Sequence, residues 1–156
     1  MPAGRLNHCV VAVGSNLYAI GGYNFPPPDY EAGVLRYDSS TDAWFNDTAA
    51  MSSTRDSFGC GAVGSIIFAV GGESGEYPFT KAAVEGIDVS KPGGAWEAVP
   101  SMQQARQGHG VAVIGSVLYA AGGLAPNGTY LASVEALDTT AASPSWRSTR
   151  RTRRRG

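Results

Sequence analysis

The sequence predicts an all-β protein of three four-stranded antiparallel units, and three observations predict it. Diglycines recur at Gly21-Gly22, Gly71-Gly72 and Gly122-Gly123, spaced 50 and 51 residues apart. An arginine stands 16 residues before each pair, at Arg5, Arg55 and Arg106. Short apolar, β-branched runs fill the intervals, and no segment keeps the 3.6-residue apolar period of a helix.

The first unit shows how each element is read. His8–Val13 is an apolar run of strand length. Gly14-Ser15-Asn16 reads as a tight hairpin turn. Leu17–Ile20 is the return strand, ended by the diglycine. Two adjacent glycines imply backbone at positive φ, or close approach to a neighbouring unit. A longer loop runs from Tyr23 to about Gly33. A third strand over Val34–Tyr37 ends at Asp38, and Ser39–Asp42 is turn-forming. Trp44 opens a fourth strand that runs toward Met51. Further landmarks keep the period: Asp38, Asp88 and Asp138; Trp44, Trp96 and Trp146; Tyr18, Phe68 and Tyr119.

Four antiparallel strands per repeat of about 50 residues describe a propeller blade, and the period exceeds the 40–45 residues of WD40 units. The order Met51, Arg55, Phe68, Gly71-Gly72, Val84-Glu85, Asp88, Trp96, Met102 resembles the kelch family nearly end to end. The resemblance covers residues 5 to about 147. It implies a partial kelch β-propeller with repeats at about 5–54, 55–105 and 106–146, followed by an Arg-rich tail at 147–156 read as disordered. Kelch propellers usually close with five to seven blades, so three leave the ring open. Self-pairing, a fragment of a longer chain and an open array are the three readings of that gap.

Composition separates body from tail. The chain has 156 residues and a net charge of −1, yet residues 147–156 carry six arginines and no acid. The rest holds six basic and thirteen acidic residues, a net of −7. The tail has no apolar residue to fill a fourth strand after Trp146, so a solvated segment is expected, with nuclear targeting or weak nucleic-acid contact as the alternative. Gly110 to Ala125 lacks charge but is shorter than a spanning helix and is split by Gly115-Ser116, so no membrane span is expected. No apolar leader precedes the first repeat, and an intracellular, chiefly cytoplasmic setting is expected. The sequons at Asn46 and Asn127 are read as chance on that ground.

Motifs that suggest chemistry yield to the repeat. Gly59-x-Gly61-x-x-Gly64 spells a dinucleotide fingerprint, but a strand pattern follows it where a helix is required. His8 and His109 are repeat-equivalent and lack a third metal ligand nearby. Cys9 and Cys60 sit four and five residues after their arginines, and in paired strands that offset points them to opposite faces, so no bridge is expected. Asp38, Asp88 and Asp138 each precede a turn, where Asp caps backbone N–H groups. Glu85 and Glu135 occupy equivalent third-strand positions. No cofactor, no metal and no catalytic set is expected.

What remains is recognition, because loops on a rigid scaffold carry it. The arginines have two readings, one as anchors bonding loop carbonyls within each blade. By resemblance to kelch substrate adaptors, Arg5, Arg55 and Arg106 lie near one rim of the propeller, together with Tyr23, Glu73 and Leu124 after the diglycines. Asn24 and His109 are their neighbours. The expected function is a non-catalytic protein-interaction module. The alternatives implied by the resemblance are a piece of a ubiquitin-ligase substrate adaptor or actin-binding protein, or a kelch-type oxidase or sugar isomerase. No BTB or BACK domain is present in these residues, so an adaptor role does not follow from them alone.

Overall fold

The computed structural model describes residues 1–24, 29–75 and 79–149, and these contain strands and turns with no helix. The first repeat supplies β1 (Cys9–Val13), β2 (Asn16–Ile20), two short strands β3 (Tyr23–Asn24) and β4 (Asp29–Tyr30), then β5 (Val34–Asp38) and β6 (Ala43–Thr48). The second supplies β7 (Gly59–Val63), β8 (Ile66–Val70), β9 (Val84–Asp88) and β10 (Glu97–Val99). The third supplies β11 (Gly110–Ile114), β12 (Val117–Ala121), β13 (Val134–Asp138) and β14 (Arg147–Ser148). Each repeat forms one antiparallel sheet, ordered β1-β2-β5-β6, β7-β8-β9-β10 and β11-β12-β13-β14. The expected blades are present, and the sheets do not close into a ring.

Sheets stack through two apolar layers. Tyr18, Ile20 and Val34 of blade 1 meet Ile67, Ala69 and Ile87 of blade 2. Phe68, Val70 and Val84 of blade 2 meet Leu118, Ala120 and Leu137 of blade 3. Strand alternation sends one set forward and the other back, so β7, β8 and β9 of the middle blade are used on both faces.

The diglycines do both things expected of them. Gly21 and Gly22 have φ of 59° and 90°, and Gly71 and Gly72 have 62° and 89°. They also lie against the next blade. A Cβ on Gly71 would stand 2.8 Å from the Arg106 carbonyl. Gly22 N donates to Arg55 O at 2.7 Å and Gly72 N to Arg106 O at 2.9 Å. Between the same blades, Ser57 N donates to Asn7 O at 3.1 Å and Gly108 N to Ser57 O at 2.7 Å.

Two expectations fail here. Cys9 and Cys60 form a disulfide, with Cα atoms 6.0 Å apart. The offset argument assumed both cysteines on paired strands of one sheet. They lie instead on the innermost strands of neighbouring blades, where opposite faces are the ones that meet. The tail prediction also fails at its start. Arg147–Ser148 forms the fourth strand of blade 3, paired to Glu135 and Ala136. An outer edge strand needs only backbone pairing, and Trp146 beside it supplies the buried anchor. Residues 150–156, which hold most of the Arg-rich segment, lie outside the described residues.

Three local readings of the strands and turns are met. Gly59-x-Gly61 lies in β7 and is followed by strand β8. Gly110 to Ala125 begins with the β11–β12 hairpin, and no helix among the described residues is long and apolar enough to cross a membrane. Asp38, Asp88 and Asp138 accept from the backbone N–H groups of Ser40, Ser90 and Thr140 at 2.9, 3.1 and 3.0 Å.

The bridge closes a loop with a sequence separation of 51 residues. Closing a loop of that size contributes typically 2–4 kcal/mol through the unfolded chain. Non-reducing peptide mapping is expected to recover the Cys9–Cys60 pair, and reductant is expected to lower the melting temperature. A Cys9→Ser/Cys60→Ser chain melts lower and is indifferent to reductant.

Candidate functional site

One edge of the three blades carries the diglycines, and just beneath it lie the repeated arginines. Arg55 donates to Gly71 O at 2.8 Å and Ala83 O at 3.0 Å, and its Nε donates to Glu85 Oε1 at 3.0 Å. Arg106 repeats the arrangement with Gly122 O, Ser133 O and Glu135 at 2.8, 3.2 and 2.7 Å. Arg55 is 2% exposed and Arg106 is fully buried. Burial pulls the Arg55 pKa down, against the pull of Glu85. In blade 1, Arg5 bonds Gly21 O and Gly33 O and lies 3.8 Å from Glu31. The structure therefore gives the arginines the anchoring role, with Arg55 and Arg106 sealed beneath the rim.

Above them each blade raises a small three-stranded edge. Leu6 bridges Tyr23, Asp56 bridges Glu73, and Gln107 bridges Leu124. A third segment adds Tyr30, Thr80 and Tyr130 in turn. Tyr23, Glu73 and Leu124 thus stand at equivalent rim positions, as expected. Asn24 is beside Tyr23 and donates to Glu31 Oε1 at 3.0 Å. His109 is not a rim residue. It is buried between blades 2 and 3, where an added Cβ on Gly71 would stand 2.9 Å from its Cε1. His8 is half-buried in blade 1, and its Nδ1 donates to Arg5 O at 3.1 Å. Phe58 fills the equivalent place in blade 2, so the two histidines are a blade apart. Among the described residues, no group of three His, Cys, Asp or Glu is placed to hold a metal.

Sequence reasoning missed the outermost rim side chains. Tyr130 is 87% exposed, and Leu6 and Phe79 are each 55% exposed. Loop residues lack the apolar period that marks a core, so only their place in the repeat could have signalled them. On the opposite edge, a groove of about 480 Å³ opens between blades 2 and 3, walled by Val63, Phe68, Val99 and Leu137.

Comparison with known proteins follows the same repeat. The family model for the kelch motif matches residues 4–46 and 105–148. The chain belongs to the kelch-repeat family. It is similar to human Kelch-like protein 34, at 35% identity over 82% of this chain and 21% of that protein. Human Kelch-like protein 33 is 29% identical over 86% of this chain and 25% of its own length. Kelch repeat and BTB domain-containing protein 1 of vaccinia virus (strain Copenhagen) is 24% identical over 85% of this chain and 23% of its own length. The chain spans about a quarter of the length of these relatives.

The buried kelch blade interface makes the fold acid-sensitive. Burial, then the charge of Arg106, pushes the His109 imidazole down to about 4. The Val70 backbone beside the ring opposes that shift only in part. The unfolded chain takes up the proton near pH 6.5, before the folded chain does. Stability is thus full above pH 6.5 and falls as pH drops toward 4, by about 3 kcal/mol from this group. His109→Phe, copying Phe58, is expected to flatten that part of the pH–stability curve measured by urea unfolding.

Proposed function

We propose that this chain is a non-catalytic protein-interaction module whose partner docks on the diglycine rim. The observation that carries the reading is the division of labour within each repeat. Arginines, glycines and glutamates are spent on anchoring, while Leu6, Tyr23, Phe79, Leu124 and Tyr130 are raised on the edge above them. Aromatic and apolar side chains gathered on one edge suit a contact surface, and aromatic residues dominate the energetics of such contacts. Kelch relatives named for repeat and BTB domains support a protein-binding role for the repeat region. The partner and any ligase-adaptor role belong to a larger assembly than these residues.

The test is affinity capture with quantitative mass spectrometry. Tyr23→Ala/Tyr130→Ala is expected to lose specific partners by at least tenfold. Glu97→Gln on the outer strand β10 is the control and is expected to lose none. Recovery that is the same for all three chains would refute the rim as the docking face. Both variants alter exposed or half-buried side chains, so folding is checked by an unchanged circular dichroism melt.

A further inference from the structure

The three rims share a backbone and differ in charge. Blade 1 pairs Leu6 with Tyr23 and blade 3 pairs Gln107 with Leu124, but blade 2 pairs two acids. Asp56 N donates to Glu73 O at 3.0 Å and Glu73 N to Asp56 O at 2.9 Å, so the carboxylates stem from directly opposed residues. Like charges placed opposite one another destabilise a sheet.

Among the described residues no cation pairs with either acid, and at Glu73 only a side-chain hydrogen bond from Gln107 answers the repulsion. Asp56 is 2% exposed. Its Oδ2 accepts from Asn7 Nδ2 at 3.3 Å and Ser57 Oγ at 3.2 Å. Its Oδ1 is buried with no partner among the described residues. Burial of a carboxylate oxygen without a donor is costly. Arg5 and Arg55, the guanidiniums beneath the rims of these two blades, are committed to Glu31 and Glu85. Glu73 remains half-buried, and its carboxyl is pushed up by burial and by Asp56.

An aromatic wall stands beside the acids. Tyr23 and Tyr30 have ring centroids 5.9 Å apart. Tyr30 reaches across from blade 1, since a Cβ on Gly75 would meet its ring at 2.9 Å. Its hydroxyl pKa is raised by burial first and then by Asp56 and Glu73, so it lies within the field of both. Carboxylates joined to aromatic faces are the chemistry that holds an ammonium or guanidinium group.

We propose that the blade 2 rim is a seat for a basic side chain, in which a lysine or arginine of a partner protein inserts between Tyr23–Tyr30 and the Asp56–Glu73 pair. The seat rests on the rim being the docking face and adds the chemistry of what docks there. It gives the acid pair a counter-charge that none of the described residues supplies. A site strained in the free protein and relieved on binding is the usual trade between stability and function.

The probe is a fluorescent octapeptide of alternating Arg and Ser, read by anisotropy against the full chain, with a Glu/Ser octapeptide as counterpart. The Arg peptide is expected to bind and the Glu peptide not to. Glu73→Gln is expected to weaken binding at least tenfold while its melting temperature stays level or rises, because a repulsion has been removed. Glu97→Gln is expected to change neither. Equal losses in both variants, or peptide binding indifferent to Glu73→Gln, would overturn the seat. Such indifference combined with loss of captured partners in Tyr23→Ala/Tyr130→Ala leaves the docking face standing and removes only the seat. A further chain carries Ser in place of Arg150, Arg151, Arg153, Arg154 and Arg155. Peptide binding that emerges only in that chain assigns the seat to the protein's own arginines and overturns a partner protein as its occupant.

Discussion

Every blade depends on a guanidinium held under its rim. In blades 2 and 3 the arginine crosses from the first strand's approach to the loop carbonyls and meets a glutamate of the third strand at 2.9 and 2.7 Å. The glutamate faces two ways. Glu85 also accepts from Ser52 N at 3.0 Å, and Glu135 from Gln103 N at 2.6 Å. One charge pair therefore fixes the diglycine turn, the third strand and the incoming segment at once. A buried pair is worth little net against an apolar replacement, yet losing one partner strands the other in a low dielectric. That asymmetry makes the cluster a specifier of geometry more than a source of stability.

Blade 1 shows the same rule by breaking it. Leu35 occupies the place of Glu85 and Glu135, and the acid comes from Glu31 in the loop. The residue three before Arg5 is Pro2, whereas Ser52 and Gln103 stand there in the other repeats. Proline has no N–H to donate. A buried glutamate in blade 1 would lack the backbone donor its counterparts have, and the leucine removes the need for one.

Blades were legible in the sequence because their landmarks are local and periodic. Arginine, diglycine, Asp38 and Trp44 recur at fixed offsets, and strand boundaries follow within a residue or two. The misreadings arose where contact passes between blades. Cys9 and Cys60 look divergent on one sheet and convergent across two. Arg55 keeps two readings, anchor and rim contact, until its glutamate, 30 residues later, is seen to cover it. His109 looks like a neighbour of the rim residues until its burial between blades 2 and 3 shows a packing slot. The rim was half legible: its positions followed from the repeat, but the partnerless Asp56 oxygen and the reach of Tyr30 into blade 2 depend on loops with no period.

Turning the arginines inward also sets the sign of the surface. Arg5, Arg55 and Arg106 are matched by Glu31, Glu85 and Glu135, so these six charges cancel within the scaffold. Outside residues 147–156 that leaves Arg36, Lys81 and Lys91 against ten acids. Arg36 is itself bound to Asp47. A kelch rim built on cationic recognition of acidic partners needs its arginines above the diglycines, and here they are beneath. The charge of residues 1–146 is therefore negative, which by itself favours the encounter of basic segments and opposes acidic ones at low ionic strength.

The two outward blade faces follow from the same stacking logic. At the first inner contact Cys9 meets Cys60; at the second, an added Cβ on Gly59 would fall within van der Waals overlap of Val111. The position four after each arginine therefore faces the position five after the next one. On the open side of blade 3 the first of these is Gly110, and on the open side of blade 1 the second is Val10, 51% exposed. Glycine on one face and valine on the other repeat the Gly59–Val111 fit. Ile114, 69% exposed, stands where Val63 is covered by blade 3. Each open face thus carries the same residue types in the same register as the faces that stack within the chain.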